Sequence, residues 1–140
     1  MFDNRMKRAV VTTVAATALA GGLGFVTAGS AAAGVGGPEC RSDGTKSACI
    51  EMTDSVISAG AHTNFASAAC QAPVFLWDDT TGENFQVGHR CATGRHYYDG
   101  YIVFPKEGHT YRTELRVYWD GGSGYNSISS PSRTWHKTGG

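Results

Sequence analysis

Residues 95–101, RHYYDGY, hold the densest group of side chains suited to binding a partner. The segment combines an arginine, a histidine and three tyrosines within seven residues. Tyrosine is rigid and amphipathic, and both tyrosine and arginine are enriched at binding surfaces. We therefore predict a binding site built from four residues: Arg95, His96, Tyr97 and Tyr98. If the segment were a strand, its period of two would direct the two neighbouring tyrosines to opposite faces, one to the core and one to a partner.

Residues that could act in catalysis form no recognisable motif. Ser123 lies in a GGSGY turn, which lacks the second glycine of a G-x-S-x-G nucleophile elbow. The five histidines are scattered, and none has the spacing that metal ligands use on one element. Asp78 and Asp79 are adjacent in a turn, whereas the paired carboxylates of glycoside hydrolases flank a cleft. We therefore expect no enzyme activity, no metal and no cofactor.

The clearest structural element follows this segment. In residues 111–119 the side chains alternate with the period of a strand that has one buried face. The predicted buried positions are Tyr111, Thr113, Leu115, Val117 and Trp119. The apolar run before this strand ends at Pro105, and a polar turn leads to Gly108, which can adopt the positive φ of a tight corner.

This succession of a strand, a corner with Pro and Gly, and a tyrosine near the start of a long alternating strand resembles the corner of immunoglobulin-like and fibronectin-III-like β-sandwiches. In those folds the tyrosine hydroxyl bonds to the backbone of the corner. The resemblance covers about twenty residues and concerns the fold, not the function. It implies that Tyr111 is buried, with its hydroxyl bonded to backbone within residues 105–108.

Further short strands are predicted by runs of β-forming residues between turns. They are a first edge strand at 47–54, two short strands or one bulged strand at 56–72, strands at 74–77 and 85–89, a loop or weak strand at 92–100, and a last strand at 125–137 broken near Pro131. This pattern predicts an all-β, antiparallel, immunoglobulin-like β-sandwich of about seven strands, with Trp77 and Trp119 in its core. A small β-barrel is the alternative.

The four cysteines, Cys40, Cys49, Cys70 and Cys91, predict two disulfides, because an even count in an exported chain is typical of a disulfide framework. Three pairings are possible. We favour Cys40–Cys49 and Cys70–Cys91, since the first closes a short turn and the second ties neighbouring segments.

The start of the chain has the three parts of a secretory signal peptide. Basic residues precede an uncharged apolar stretch over 9–25, and Ala31-Ala32-Ala33 offers a small-residue cleavage site. In composition this leader resembles those of high-GC Gram-positive bacteria. We predict a signal peptide at 1–33, a flexible tail at 34–39 and a secreted, extracellular β domain at 40–140.

Charge excludes two classes of partner for the secreted chain. Without residues 1–33, which hold three basic residues and one acidic residue, the chain has nine basic and eleven acidic residues, a formal charge of −2. No run of like charge remains, so we expect neither nucleic-acid binding nor attachment to a membrane.

The sequence therefore predicts a secreted, non-catalytic binding module. Its partner would be an extracellular protein, as for an inhibitor of extracellular hydrolases, or a polysaccharide, as for a carbohydrate- or surface-binding domain. The alternative is a small secreted hydrolase or nuclease that uses His96 or His109 with a nearby acid.

Overall fold

The computed structural model describes residues 36–138, and every strand, contact and cavity reported below belongs to this range. Within it the chain forms ten β-strands and no helix. The strands are β1 (Gly36–Ser42), β2 (Lys46–Met52), β3 (Ile57–Phe65), β4 (Cys70–Gln71), β5 (Val74–Asp78), β6 (Glu83–Val87), β7 (Gly94–Val103), β8 (Thr110–Trp119), β9 (Asn126–Ser129) and β10 (Arg133–Thr134). The described part of the chain thus has no helix that could cross a membrane.

These strands form two antiparallel sheets. The first has the order β1-β2-β3-β7 and the second the order β9-β8-β5-β6, with β4 and β10 also paired to β8. The strands β4 and β5 follow one edge of β8 in turn and are interrupted at Pro73, which has no N–H to give to the ladder. The strands β9 and β10 follow the other edge and are interrupted near Pro131, as predicted. If β4 is counted with β5, and β9 with β10, the ten strands occupy eight positions in the two sheets.

The predicted all-β antiparallel fold is confirmed. The inward faces of the two sheets share one hydrophobic core, to which β2, β3, β5, β7 and β8 all contribute. Its largest fully buried side chains include Ile50, Met52, Ile57, Leu76, Tyr98 and Leu115. A closed barrel would need one continuous sheet, whereas the described strands form two.

Strand β8 and the corner before it match the sequence pattern. Four of the five predicted inward positions are buried, namely Tyr111, Thr113, Leu115 and Val117. The hydroxyl of Tyr111 accepts a hydrogen bond from the backbone N–H of Lys106 at 3.0 Å. Desolvation raises the pKa of the Tyr111 hydroxyl, and the bond from Lys106 opposes that shift. The predicted burial of Tyr111 and the bond between its hydroxyl and the backbone of residues 105–108 are therefore confirmed.

The tryptophans do not occupy the predicted positions. Trp77 lies on the outer face of the second sheet, because the other set of alternating residues in β5 faces the core. Trp119 is 38% exposed at the end of β8. The buried tryptophan is Trp135, whose indole N–H donates to the backbone carbonyl of Thr53 at 2.8 Å and closes the end of the molecule that holds the corner.

The structure differs from the sequence prediction at three further places. Residues 36–39 were expected to belong to a flexible tail, but they lie in β1, which pairs with β2. Because β1 covers β2, the strand at 46–52 is not at the sheet edge. Residues 94–103 form the long strand β7 instead of a loop or weak strand. The predicted signal peptide at 1–33 lies outside the described residues.

Both predicted disulfides are confirmed. Cys40 and Cys49 are directly opposite each other in β1 and β2, with their Cα atoms 4.0 Å apart. Cys70 in β4 is bonded to Cys91, which follows β6. The second bond ties the end of the second sheet to the segment that leads into β7.

Candidate functional site

The outward face of the first sheet brings together polar residues that are far apart in the sequence. Across β2, β3 and β7, Ser47 pairs with His62, and His62 pairs with Tyr97. In the next outward row, Asn64 of β3 pairs with Arg95 of β7. Because directly paired residues share a face of the sheet, these side chains form one continuous surface.

Tyr97 is the largest side chain on this surface, and its ring lies directly on the backbone of Gly60. A Cβ added to Gly60 would come within 2.5 Å of the Tyr97 hydroxyl oxygen and 2.9 Å of its Cε1 atom. Only a glycine at this position leaves room for the ring. Tyr97 remains 52% exposed, and its ring meets that of His62 edge-on at 4.9 Å.

Two cavities adjoin this tyrosine. A groove of about 250 Å³ runs across the sheet from Tyr97 and His62 to the Cys40–Cys49 disulfide, with Gly60 and Glu51 also lining it. A second cavity of about 350 Å³ lies at the end of the same sheet. It is lined by Ser42, Gly44, Thr45, Lys46, Ser47, His62, Thr63, Asn64, Arg95 and His96. His62 lines both cavities, so they are neighbours on this face, and Tyr97 lines the groove.

The charges around the two cavities differ. Lys46 beside the end cavity forms an ion pair with Asp43 at 2.6 Å, and this contact holds the pKa of the Asp43 carboxyl far below its usual range. Near the groove, partial desolvation of the Tyr97 hydroxyl raises its pKa, and the negative charges of Asp99 and Glu51 add to that shift. The end cavity is therefore the more basic of the two.

The four predicted site residues divide between the surface and the core. Arg95 and Tyr97 are exposed on the outward face, and His96 is exposed at the end of the sheet, where its ring contacts that of Tyr98 at 4.7 Å. Tyr98 is only 1% exposed. Its hydroxyl accepts hydrogen bonds from the Thr63 hydroxyl at 3.1 Å and from a backbone N–H at 3.0 Å. The prediction of Tyr98 as a contact residue is therefore wrong, because no partner can reach its ring.

The end of β7 carries a separate apolar patch. Tyr101, Ile102 and Phe104 are 45%, 61% and 82% exposed. Tyr101 lies at a bulge opposite β3 and turns toward the second sheet, where its ring is 5.4 Å from that of Phe85. Exposed apolar groups of this kind commonly mark contact sites for other proteins.

The outward face of the second sheet is also aromatic, but its rings are already occupied. The guanidinium of Arg116 lies 4.4 Å from the Phe75 ring and 4.6 Å from the Tyr125 ring. Trp77 donates its indole N–H to Glu114 at 2.8 Å, and Glu114 also pairs with Arg116 at 3.0 Å. Phe75, Trp77 and Tyr125 on this face are therefore already in contact with charged side chains of the protein.

Two histidines pair with acids at the end of the molecule that holds the tyrosine corner. His109 lies 2.7 Å from Asp78, and His136 lies 2.6 Å from Glu107. A carboxylate that orients a histidine is one part of a hydrolytic centre, but a nucleophile and a cleft are also needed. Neither His109 nor Asp78 lines the cavities described above. No group of three or more His, Cys, Asp or Glu residues within 36–138 has a geometry that would hold a metal ion.

Several residues of the surface around Tyr97 have no distinctive signal in the sequence. The register of β2, β3 and β7 alone brings Gly60 and His62 next to Tyr97, and Ser47 next to His62. His62 and Tyr97 are 35 residues apart in the sequence, and local patterns do not encode such a register. Comparison with known proteins finds no matching family model, no similar curated protein and no similar solved structure.

Proposed function

We propose that this protein is a secreted, non-catalytic module that binds polysaccharide on the outward face of its first sheet. One observation carries the proposal: the Tyr97 ring is laid on Gly60 and lines a groove of the sheet, with half of its surface open to solvent. A ring fixed in this way offers a flat apolar platform. Because its lower face rests on backbone, little conformational freedom is lost when a ligand covers the upper face.

The surroundings of the platform suit a sugar. One face of a pyranose ring presents C–H groups, which pack on an aromatic ring, while its hydroxyls require hydrogen-bonding partners. Asn64, His62 and Glu51 supply amide, imidazole and carboxylate groups around Tyr97. The site lies on a sheet instead of an exposed loop, and a flat surface favours a polymer over the active-site cleft of an enzyme.

Secretion is part of the proposal. Two disulfides, with no free cysteine in the described chain, are typical of proteins that fold in an oxidising compartment. The leader-like first 33 residues and this bonding support the same location.

The immunoglobulin-like assignment is also a proposal. In variable-type immunoglobulin domains, strands G, F, C and C′ form one sheet, and A, B and E belong to the other. The order β9-β8-β5-β6 parallels the first set, and β2-β3-β7 parallels the second, with β1 as an added edge strand. The corner tyrosine supports the same comparison. A fold of this kind supports many functions, so it adds no weight to any one ligand.

A second candidate function rests on the apolar patch at the end of β7. Tyr101, Ile102 and Phe104 would suit an extracellular protein partner, such as a hydrolase that the module inhibits. Tyr101 and Ile102 lie on the same strand as Tyr97, but none of the three residues of the patch lines either cavity.

The test compares two tyrosines of nearly equal exposure. Tyr97 is 52% exposed on the first sheet and Tyr125 is 49% exposed on the second. The secreted protein, with its disulfides intact, is incubated with cellulose, chitin and isolated cell-wall polysaccharide, and the bound fraction is measured as a function of concentration. We expect Tyr97→Ala to weaken binding about thirtyfold, the loss typical of an anchor residue, and Tyr125→Ala to leave it unchanged. Equal affinities for wild type and Tyr97→Ala would refute the proposal. Retention of an extracellular hydrolase without retention on any polysaccharide would favour the protein partner.

A further inference from the structure

The cavity at the end of the first sheet contains an arginine whose charge has no partner in the described chain. Residues 36–138 include six arginines, and five of them make a side-chain hydrogen bond or an ion pair. Arg95 makes neither within this range. It stands on the wall of a cavity of about 350 Å³, and no carboxylate lines that cavity.

The other groups of the cavity add donors without adding negative charge. Lys46 is held by Asp43, so the charges of these two residues offset each other. His62 and His96 contribute ring nitrogens, and Ser47 contributes a hydroxyl. The guanidinium of Arg95 is therefore the uncompensated charge, surrounded by neutral hydrogen-bonding groups.

We propose that this cavity binds an anionic group, a carboxylate or a phosphate, carried by the polysaccharide that stacks on Tyr97. The inference rests on the proposed function and narrows its ligand to an acidic polysaccharide. Arginine presents a planar fork of N–H donors that matches both carboxylate and phosphate oxygens. In this arrangement Arg95 receives the anion while Tyr97, two residues along the same face of β7, receives the sugar ring.

The groove on the other side of Tyr97 has the opposite preference. Glu51 lines it, and the charge of Asp99 also acts on the Tyr97 hydroxyl. An anionic substituent would be repelled there and attracted at Arg95. The polymer is therefore bound in one direction, with its acidic group toward the end of the sheet.

The test measures separately what the charge of Arg95 and the ring of Tyr97 contribute to binding. Binding of the secreted, disulfide-bonded protein is measured by calorimetry with polygalacturonate, with poly(glycerol phosphate) and with a soluble neutral glucan. The variants are Arg95→Ala, Arg95→Lys and Tyr97→Ala. Lys137→Ala is the control, since it also removes one positive charge, at the corner end of the molecule, where the backbone N–H of Lys137 donates to Glu107.

We expect at least one acidic polymer to bind more tightly than the glucan, and Arg95→Ala to weaken that binding about tenfold, as for a lost charge-assisted hydrogen bond. Arg95→Lys should restore part of the loss, and Lys137→Ala should have no effect. The polymer that responds more strongly identifies carboxylate or phosphate as the preferred group. If acidic and neutral polymers bind equally and Arg95→Ala affects neither, the anion site is refuted, while loss of binding in Tyr97→Ala still supports the platform.

Failure of every polymer to bind would instead count against the proposed function. In that case, NMR titration with sodium glucuronate and inorganic phosphate tests by itself whether the cavity binds an anion. Shifts confined to the amides of Lys46, His62 and Arg95 would support an anion site that serves another ligand. Shifts that are absent, or spread over the whole surface, would overturn it.

Discussion

Substituting alanine for either of two neighbouring glycines should distinguish the contact between Gly60 and the Tyr97 ring from the packing of one strand against the next. Gly60 in β3 and Gly100 in β7 lie on adjacent strands, and neither adopts a positive φ. At Gly60 the added Cβ would meet only the Tyr97 side chain, at 2.5 Å from its hydroxyl oxygen and 2.9 Å from Cε1 of its ring. At Gly100 it would meet Cβ and backbone oxygen of Ala59, both at 2.7 Å. The same chemical change thus meets a movable ring at one site and a fixed strand at the other.

The expected costs follow from what must move. In Gly60→Ala the Tyr97 hydroxyl has to retreat by about 1 Å to reach ordinary contact distance, and rotation of an exposed side chain provides this. The gain of about 0.5–1 kcal/mol from replacing glycine within a strand offsets the lost ring contact. We therefore expect the free energy of unfolding to change by less than about 1 kcal/mol. In Gly100→Ala the two strands must separate at the bulge, and overpacking of this kind costs about 1–3 kcal/mol.

Urea denaturation of both variants, with the disulfides intact, gives the two unfolding free energies. A second measurement follows the Tyr97 hydroxyl by ultraviolet titration, with Tyr97→Phe used to identify its signal. Because Gly60→Ala pushes the hydroxyl into water, the pKa of Tyr97 should fall from its raised value toward the ordinary value of about 10. If Gly60→Ala costs as much stability as Gly100→Ala, or leaves the Tyr97 pKa unchanged, the ring does not rest on Gly60 in solution.

Three further outcomes are expected from denaturation experiments. Tyr111→Phe should lower the free energy of unfolding by about 1 kcal/mol, since the corner loses the bond between the hydroxyl and backbone; an unchanged urea midpoint would contradict it. Trp77→Phe should cost about 1–2 kcal/mol, because the largely buried Glu114 carboxylate loses its indole donor, and a cost no greater than that of Tyr125→Phe would show that this bond contributes nothing. The pKa of Asp43 is lowered in the folded state, so its ion pair stabilises the protein above about pH 4 and the contribution is lost as the pH falls below that value. Asp43→Asn should therefore flatten the decline in stability between about pH 4 and pH 2, by less than about 1 kcal/mol because the pair is partly exposed, and parallel acid-unfolding curves for variant and wild type would argue against it.

The parts of the fold that the sequence predicted are those fixed by local patterns. The alternation in residues 111–119 and the Pro/Gly corner before it gave the strand β8 and the buried hydroxyl of Tyr111. The cysteine spacing gave both disulfides. Each of these features depends on residues close together in the sequence, or on the chemistry of one residue type.

The missed features depend on which face of a strand is buried, and on which strands are neighbours. In the run Val74-Phe75-Leu76-Trp77 every side chain is apolar, so the pattern does not show which alternate residues face the core. Trp77 was therefore assigned to the wrong face of the sheet. The pattern of residues 92–100 predicted only a loop or weak strand, because the outward side chains of β7 are polar and its inward side chain Tyr98 is amphipathic. The candidate site shows the same division. Arg95 and Tyr97 stand on the open surface, but the role of Gly60 appears only once β3 and β7 are paired.

The two outward faces differ in how far their aromatic rings are already in contact with charged side chains. On the second sheet, arginine side chains already cover the aromatic rings, and a ligand would have to displace charged groups whose contacts are satisfied. On the first sheet, Tyr97 is paired with His62, whose ring meets it edge-on, and Gly60 lies beneath the ring, so the other face of the ring stays open. Ser47 lies beyond His62 on the same outward face. A bulky side chain at Ser47 would therefore be expected to close the surface without disturbing the core, because this position faces outward. Ser47→Met would place a long uncharged side chain beside His62, on the approach to the Tyr97 ring, without adding a charge to the cavity that holds Arg95. We expect this variant to fold with wild-type stability and to lose polysaccharide binding. If Ser47→Met binds polysaccharide as tightly as the wild type while remaining folded, the open ring of Tyr97 is not the site of recognition.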